Sequence, residues 1–389
     1  MTNLQTEPTI EVGIITEKDF SLNPIGDWET IQSSKFTVYL PLSGASRMEV
    51  SGVIFGKGFH WERTEKVLYE GRINLFKMPD EPNIWLTNKL PLESYVRSVV
   101  GSEMHPDAPK EFLKAEAIMS RTWALRKTLC CTNPSEGKIK SADKIITWQE
   151  IDDHGGFDVC SDDHCQRYQG LNAINPRSLE IVDETRGIVL MDTCTNTPAD
   201  TRFSKCCGGK TELFSTCWSN SDFRYLTSIP DPYCNPERLT GEKDYLSVIL
   251  KDYDKGTDYY EWREVIPASL IQRNLKSLHN VEIGDIIELK PLKRGPSRRI
   301  YQLLVKGSQG EIIIGKELAI RRLLSESHLF SSAFEVVSVD SDGFHLEGKG
   351  WGHGVGLCQI GAAVMAKEGD TAEEILSFYF PGTQLKKIY

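Results

Sequence analysis

Through residues 1–90, apolar and polar side chains alternate in short runs: EVGII from Glu11, KFTVYL from Lys35, GRINLFK from Gly71 and NIWLT from Asn83, set between Gly, Asn and Pro. A period of two places successive side chains on opposite faces, so this stretch is predicted to be β-rich. The period changes at Pro91. Leu92, Tyr95, Val96, Val99 and Val100 fall at helical spacing, with Pro91 suited to the first helical position and His105-Pro106 to a stop. A second helix is predicted from Pro109 to Leu129, with Phe112, Ala115, Ile118 or Met119, Thr122 and Leu125 as one buried stripe and several alanines that permit close packing. Residues 236–340 return to strand-like runs: IIELK from Ile286, RIYQLLVKG from Arg299, EIIIG from Glu311 and FEVVSV from Phe334. Helical signals resume near the C-terminus, where Thr371 and Glu374 have capping-box spacing and Ile375, Leu376 and Tyr379 form an apolar stripe that ends at Pro381-Gly382.

This order reads as an α+β chain: a β-rich segment over 1–90, a helical part over 91–235, a β-rich insertion or subdomain over 236–340, and a return to the helical part over 341–389. At 389 residues and 40% hydrophobic content the chain can build a proper core, and its length suits roughly two to three domains. The balance of 55 acidic against 45 basic residues, a net charge of -10, argues against a general nucleic-acid binder and favours a neutral or cationic substrate. The opening MTNLQTEPTIEVGI has no basic region leading into an apolar run, and no run is apolar for the ~18 residues a spanning helix needs. Neither a secretion signal nor a transmembrane segment is expected.

Four segments carry candidate chemistry. GKGWGHGVGLCQIGA, from Gly348, surrounds His353 with glycines just before a predicted helix. Such a backbone permits close approach by a ligand or another strand; in a purely structural reading, His353 satisfies a local carbonyl. It is not a dinucleotide fingerprint, which needs a preceding strand, a βαβ unit and an acidic residue about 20 positions on. In PLESYVRSVVGSEM, Glu103 ends an apolar helical turn, where partial burial would keep its carboxyl protonated for use as a general acid; exposure at the helix end would leave it inert. Arg121 and Thr122, on the next helix, either line a groove or serve the packing of their own helix.

Ten cysteines are too few for a disulfide scaffold, yet most of them cluster. HGGFDVCSDDHCQRYQG offers His154, Cys160, His164 and Cys165, the donor set of a tetrahedral zinc site, although adjacent ligands at 164 and 165 require a sharp bend; a Cys160–Cys165 disulfide or reduced thiols are the alternatives. Four protein ligands would close the site and make it structural, which argues against a zinc hydrolase. TRFSKCCGGKTELFSTCW, from Thr201, is a compact polar loop in which Ser204 is suited to substrate hydrogen bonding. Cys206 and Cys207 would strain a bridge to each other, but each could reach Cys194, Cys217 or Cys234, and metal binding is possible there too. Cys130, Cys131 and Cys358 lie outside both clusters.

Taken in order, these segments resemble the SpoIID/LytB family of bacterial cell-wall proteins. The resemblance rests on LPLESYVRSVVGSEM with KAEAIMSRTWAL, on DVCSDDHCQRYQG, on FSKCCGGKTE, and on GKGWGHGVGLCQIGA followed by EEILSFYFPGTQL; it runs from about Leu90 to the C-terminus and is loose over 236–340. It implies a core with helices flanking a substrate cleft, and a lytic transglycosylase acting on peptidoglycan glycan strands, with Glu103 as the catalytic acid and base and a 1,6-anhydro-muramic acid product. Arg121, Ser204, His353, Gly354 and Gln359 would line the cleft, and His154, Cys160, His164 and Cys165 would hold a structural zinc. The family also implies an alternative, a non-catalytic amidase enhancer that binds glycan and activates an N-acetylmuramoyl-L-alanine amidase. A cell-envelope location is the family expectation, and SKCCGG departs from a loop usually richer in small polar residues.

Overall fold

A computed structural model describes residues 4–58, 62–77, 84–129, 137–148, 156–162, 164–239 and 260–389. The fold is α+β. Cys130, Cys131 and His154 lie outside the described residues.

The alternating N-terminal runs form strands where the pattern placed them. Strand Thr9–Ile14 pairs antiparallel with Ile84–Pro91 and parallel with Val159–Cys160, in a six-stranded sheet that continues through Arg72–Lys77, Phe36–Pro41 and Trp28–Gln32. A second sheet of Thr16–Ile25, Arg47–Phe55 and Arg63–Tyr69 packs with it, and inward residues such as Ile10, Val12, Val50 and Val67 are fully buried. The parallel pairing makes the start of the Cys/His loop the edge of the N-terminal sheet, and this is how residues far apart in sequence come to flank the same helix end.

Helix α1, Leu92–Glu103, follows directly from a sheet strand, and Pro91 is the extended residue that precedes it rather than the first helical one. Helix α2, Lys110–Leu129, is the central element. The single stripe expected for it understates its burial: from Phe112 to Leu125 every residue but Lys114 is buried. It packs against α1, against helix α3, Pro176–Glu184, and against strand Ile188–Asp192. A helix wrapped on all sides must satisfy its polar side chains internally, and Glu116 and Arg121 are the two charged groups for which this matters. The C-terminal helices, Gln359–Glu368 and Ala372–Tyr379, complete this core, the latter opened by the Thr371/Glu374 capping box.

A second hydrophobic core gathers Ile145 with apolar residues between Trp262 and Leu346. Its five-stranded sheet runs Ile286–Arg294, Ile300–Gly307, Gly310–Gly315, Lys144–Thr147 and Lys138–Lys140, and a three-stranded sheet joins Glu261–Ile266, Phe344–Lys349 and Phe334–Val339. Strand Phe344–Lys349 therefore belongs to this second unit, and the chain crosses back to the first through the glycine-rich loop. No helix among the described residues is long and apolar enough to cross a membrane.

Candidate functional site

A cleft of about 390 Å³ lies between the two cores. Glu103, Ser204, His353 and Gln359 all line it, together with His164 and Cys165. The sequence segments singled out for chemistry thus converge on one place.

Glu103 is the last residue of α1 and is 7% exposed. The helix stops there because His105 and Pro106 follow, so the carboxyl leaves the helix end toward the cleft instead of being covered by a further turn. The Arg167 N–H donates to its Oε1 at 3.0 Å. Arg167 belongs to the loop after Cys160, and that loop is itself anchored: the Asp162 carboxylate accepts the backbone N–H groups of Gly56 and Lys57 at 2.9 and 3.0 Å, and the Gln166 side chain accepts Tyr95 Oη–H at 3.1 Å. The backbone that orients the carboxyl is fixed at several points.

Within this loop, His164 Nδ1 lies 4.0 Å from Cys160 Sγ and 3.8 Å from Cys165 Sγ, and the Cys160 N–H donates to Cys165 Sγ at 3.3 Å. Bond lengths of ~2.3 Å to sulfur and ~2.05 Å to nitrogen set an S···N edge of about 3.6 Å in a tetrahedral zinc site, so these three donors fit a shared ion with small adjustments.

The close approach that the glycine-rich loop permits is made by a side chain of the second core. Gly354 has φ +74°, and a Cβ on it would lie 2.5 Å from the guanidinium carbon of Arg299. Arg299 is fully buried and donates to the carbonyls of Gly352 and Cys207, both at 3.1 Å, and to Ser297 Oγ at 2.9 Å. The loop is therefore wrapped around an arginine supplied by the second core, and Gly354 does not line the cleft but backs onto that arginine. The adjoining turn is tied down by buried Glu212, whose Oε2 accepts Ser297 N–H and Oγ–H at 3.1 and 2.6 Å.

His353 accepts the Val355 N–H at Nδ1, 3.0 Å away, and also makes a backbone hydrogen bond with Phe203. Burial and then the charges of Arg202, Arg299 and Arg321 hold it well below the usual imidazole range, so the ring is neutral. Its ring packs in a T-shaped contact with Trp218, the centroids 4.8 Å apart.

Ser204 is 6% exposed and its Oγ has no hydrogen-bond partner among the described residues, although it lines the cleft. Gln359, 2% exposed, donates through Nε2 to Glu116 Oε1 at 2.7 Å. Glu116 was not among the residues singled out in the sequence. Burial chiefly, with the charge of Glu103 adding to it against the Gln359 bond, pushes its pKa up to about 8, so it keeps a proton at neutral pH. An isolated acid inside the alanine-rich run KAEAIM was the signal that could have found it.

Arg121 and Thr122 do not line the cleft. Arg121 is fully buried and grips Glu93 through Nε and Nη2 at 2.9 and 2.7 Å, with Nη1 donating to the Ile188 carbonyl. Thr122 Oγ1 donates to Ile118 O and accepts Leu190 N–H. Of the two roles open to them, both serve packing. The cleft wall instead draws Arg321, Arg322, His328 and Phe330 from the second core, and Lys57, Arg167, Lys205 and Arg202 make its lining more basic than acidic despite the net charge of the chain.

Residues 80–191 match the family model described as Stage II sporulation protein (SpoIID), and residues 212–356 match one described as a domain of unknown function, DUF8618. The first match carries Glu103 and the Cys160–Cys165 loop, while Ser204 lies between the two and Gln359 beyond them. The Stage II sporulation protein D of Bacillus subtilis (strain 168) is 28% identical over 302 residues, 77% of this chain and 75% of that protein. The Amidase enhancer of the same organism is 26% identical over 313 residues, 75% of this chain and 40% of that protein. An uncharacterized protein of Brachyspira hyodysenteriae is 29% identical over 312 residues, 80% of this chain and 71% of that protein.

Proposed function

For a chain that belongs to the SpoIID/LytB family, we propose lytic transglycosylase activity on peptidoglycan glycan strands, with Glu103 as acid and base. The observation that carries this reading is the position of Glu103, a nearly buried carboxyl at a helix end on the cleft lining, held through Oε1 by the Arg167 N–H. In the forward step the protonated carboxyl gives its proton to the glycosidic oxygen between N-acetylmuramic acid and N-acetylglucosamine as the C1–O bond breaks. The carboxylate so formed then takes the proton of the muramic acid 6-hydroxyl as that oxygen bonds to C1. The 1,6-anhydro ring closes, the carboxyl is restored, and no water enters.

One carboxyl serves both steps, in contrast to the pair of carboxylates that most glycoside hydrolases place across the sugar. Glu116, behind Glu103, does not supply such a partner: it is buried and neutral. The remaining lining suits a glycan. Trp123, Trp218, Phe330 and Trp351 offer apolar surface to sugar faces, Ser204 adds a hydroxyl to the lining that no described residue engages, and Lys57, Arg167 and Arg322 favour the lactyl carboxylates that strands stripped of stem peptides expose.

In the same proposal Cys160, His164 and Cys165, joined by His154, hold a structural zinc. When bound, the ion would cross-link the loop and so fix the Arg167 N–H that orients Glu103. All its ligands would be protein groups, so it takes no part in the bond-making steps.

The similarity to an amidase enhancer favours a second reading, in which the same cleft grips glycan and the chain activates a partner N-acetylmuramoyl-L-alanine amidase. Reaction of denuded glycan strands in H₂¹⁸O separates the two. Transglycosylation gives anhydro ends without label, hydrolysis would give labelled reducing ends, and an enhancer alone would leave the strands uncut.

A further inference from the structure

Behind the cleft, and separate from the Cys160–His164–Cys165 group, a second set of soft donors is fully enclosed. The ligand atoms of Cys207, Asp231, Cys234 and Cys358 all lie within 4.8 Å of one another. None of the four residues is more than 2% exposed. Cys207 Sγ is 3.5 Å from Cys234 Sγ and 3.1 Å from Asp231 Oδ2. Cys206, next in the chain to Cys207, is buried as well.

From this geometry we propose that Cys207, Cys234 and Cys358, with Asp231, form a second structural zinc site. Tetrahedral zinc at ~2.3 Å from each sulfur sets S···S edges of about 3.8 Å, close to the 3.5 Å seen for Cys207 and Cys234. The backbone is arranged for thiolates. The Cys207 N–H donates to Cys358 Sγ at 3.2 Å and the Gly209 N–H to Cys234 Sγ at 3.3 Å, bonds that support negative sulfur and orient the donors as outer-shell groups do in metal sites. Asp231 is oriented too: Tyr379 Oη–H reaches Oδ2 at 3.0 Å and the Tyr233 N–H reaches Oδ1 at 2.9 Å. A disulfide between two of these three sulfurs, or two disulfides with Cys206 as the fourth, would leave these N–H donors facing poor acceptors and the Asp231 carboxylate enclosed without a cation. Three thiolates and a carboxylate select a borderline-soft ion, and a dry site with no open face suits a closed zinc centre better than a catalytic one.

The site joins positions far apart in sequence. Cys207 follows Ser204 and Lys205 on the parallel bridge Phe203–Ser204 to Leu357–Cys358, and Cys358 immediately precedes Gln359. An ion here would fix, from behind, the two short segments that present Ser204 and Gln359 to the cleft.

The test is the metal content of the intact purified chain and of Cys234→Ser, by inductively coupled plasma mass spectrometry. Loss of one zinc per chain on this substitution is expected whether or not the Cys160 group also holds an ion; Cys165→Ser reports on that group separately. Because Cys234→Ser can misfold, cobalt(II)-loaded Cys165→Ser protein provides an independent reading: it should show sulfur-to-cobalt charge-transfer absorption with tetrahedral ligand-field bands. Alkylation of the unfolded, unreduced chain should then modify Cys207, Cys234 and Cys358. Unchanged zinc in Cys234→Ser, absence of the charge-transfer band, or recovery of these cysteines as disulfide-linked peptides would overturn the proposal.

Discussion

Arg299 and Gly354 interlock: the guanidinium carbon of one stands 2.5 Å from where the other would carry a Cβ, so the loop can close around the arginine only with glycine at that position. Gly354→Ala is therefore expected to destabilise by more than the ~1–2 kcal/mol that a left-handed conformation alone costs a residue with a side chain. Gly382→Ala is the control, since Gly382 has φ +84° but nothing within 4 Å of its Cβ position. Denaturant unfolding of the two variants should give the larger loss for Gly354→Ala. Equal losses would mean that Arg299 does not constrain the loop.

Glu93 and Arg121 form a buried pair that also takes the Gly187 N–H and the Tyr389 hydroxyl on Glu93 Oε1. Burial opposes ionisation of Glu93, but the Arg121 charge and these hydrogen bonds prevail and hold it below the usual carboxylate range. Arg121→Leu leaves an uncompensated charge and is expected to cost about 3–5 kcal/mol in unfolding free energy. Affinity for glycan per folded molecule should be retained, as isothermal titration below the variant's melting range would show.

Ser204 gives the opposite signature. Its Oγ makes no bond among the described residues, so Ser204→Ala should leave thermal stability nearly unchanged. Binding of denuded glycan should weaken about tenfold, the equivalent of one hydrogen bond of ~1.4 kcal/mol. A large fall in Tm with unchanged binding would assign the hydroxyl to the fold instead.

Glu116 sets a pH dependence. Its pKa is about 8 in the fold, against ~4.3 for an unfolded glutamate, so the folded state binds a proton that the unfolded state has lost. The stability this proton confers is fully present below ~4.3 and is lost as pH rises from there to about 8. Glu116→Gln removes the titration. Between pH 5 and pH 8 the difference in unfolding free energy should move in favour of the variant by at least ~1.4 kcal/mol, the equivalent of one pKa unit. A constant difference across this range would show that Glu116 is ionised in the fold.

The local elements were legible because each announces itself within a few residues: the alternation of EVGII and KFTVYL, the change of period at Pro91, and the Thr371/Glu374 cap all reappear in the structure. Glu103, Ser204, His353 and Gln359 were legible as motif residues and do share the cleft. What sequence could not reveal depends on long-range juxtaposition. Arg299 lies 53 residues from the Gly352 carbonyl it binds, and the Cys207 N–H meets a sulfur 151 residues away. No periodicity encodes such partners, so sequence alone left open what approaches the glycines and whether Arg121 lines a groove or packs its helix, and it put Cys358 outside its cluster. The expectation of a neutral or cationic substrate rested on net charge, whereas the basic lining of the cleft draws on a minority of residues from both cores.

The central claim is that Glu103 does the chemistry, and the direct measurement is mass spectrometry of denuded glycan strands treated with the protein and with Glu103→Gln, alongside equilibrium binding of the same strands. Glu103→Gln keeps the shape and the acceptor for the Arg167 N–H but removes the acid. Fragments ending in 1,6-anhydro-muramic acid are expected from the protein, with at least ~100-fold less from the variant and binding within a few-fold. Equal fragmentation by both, or strands left intact by the unaltered protein while it binds them, would contradict the assignment.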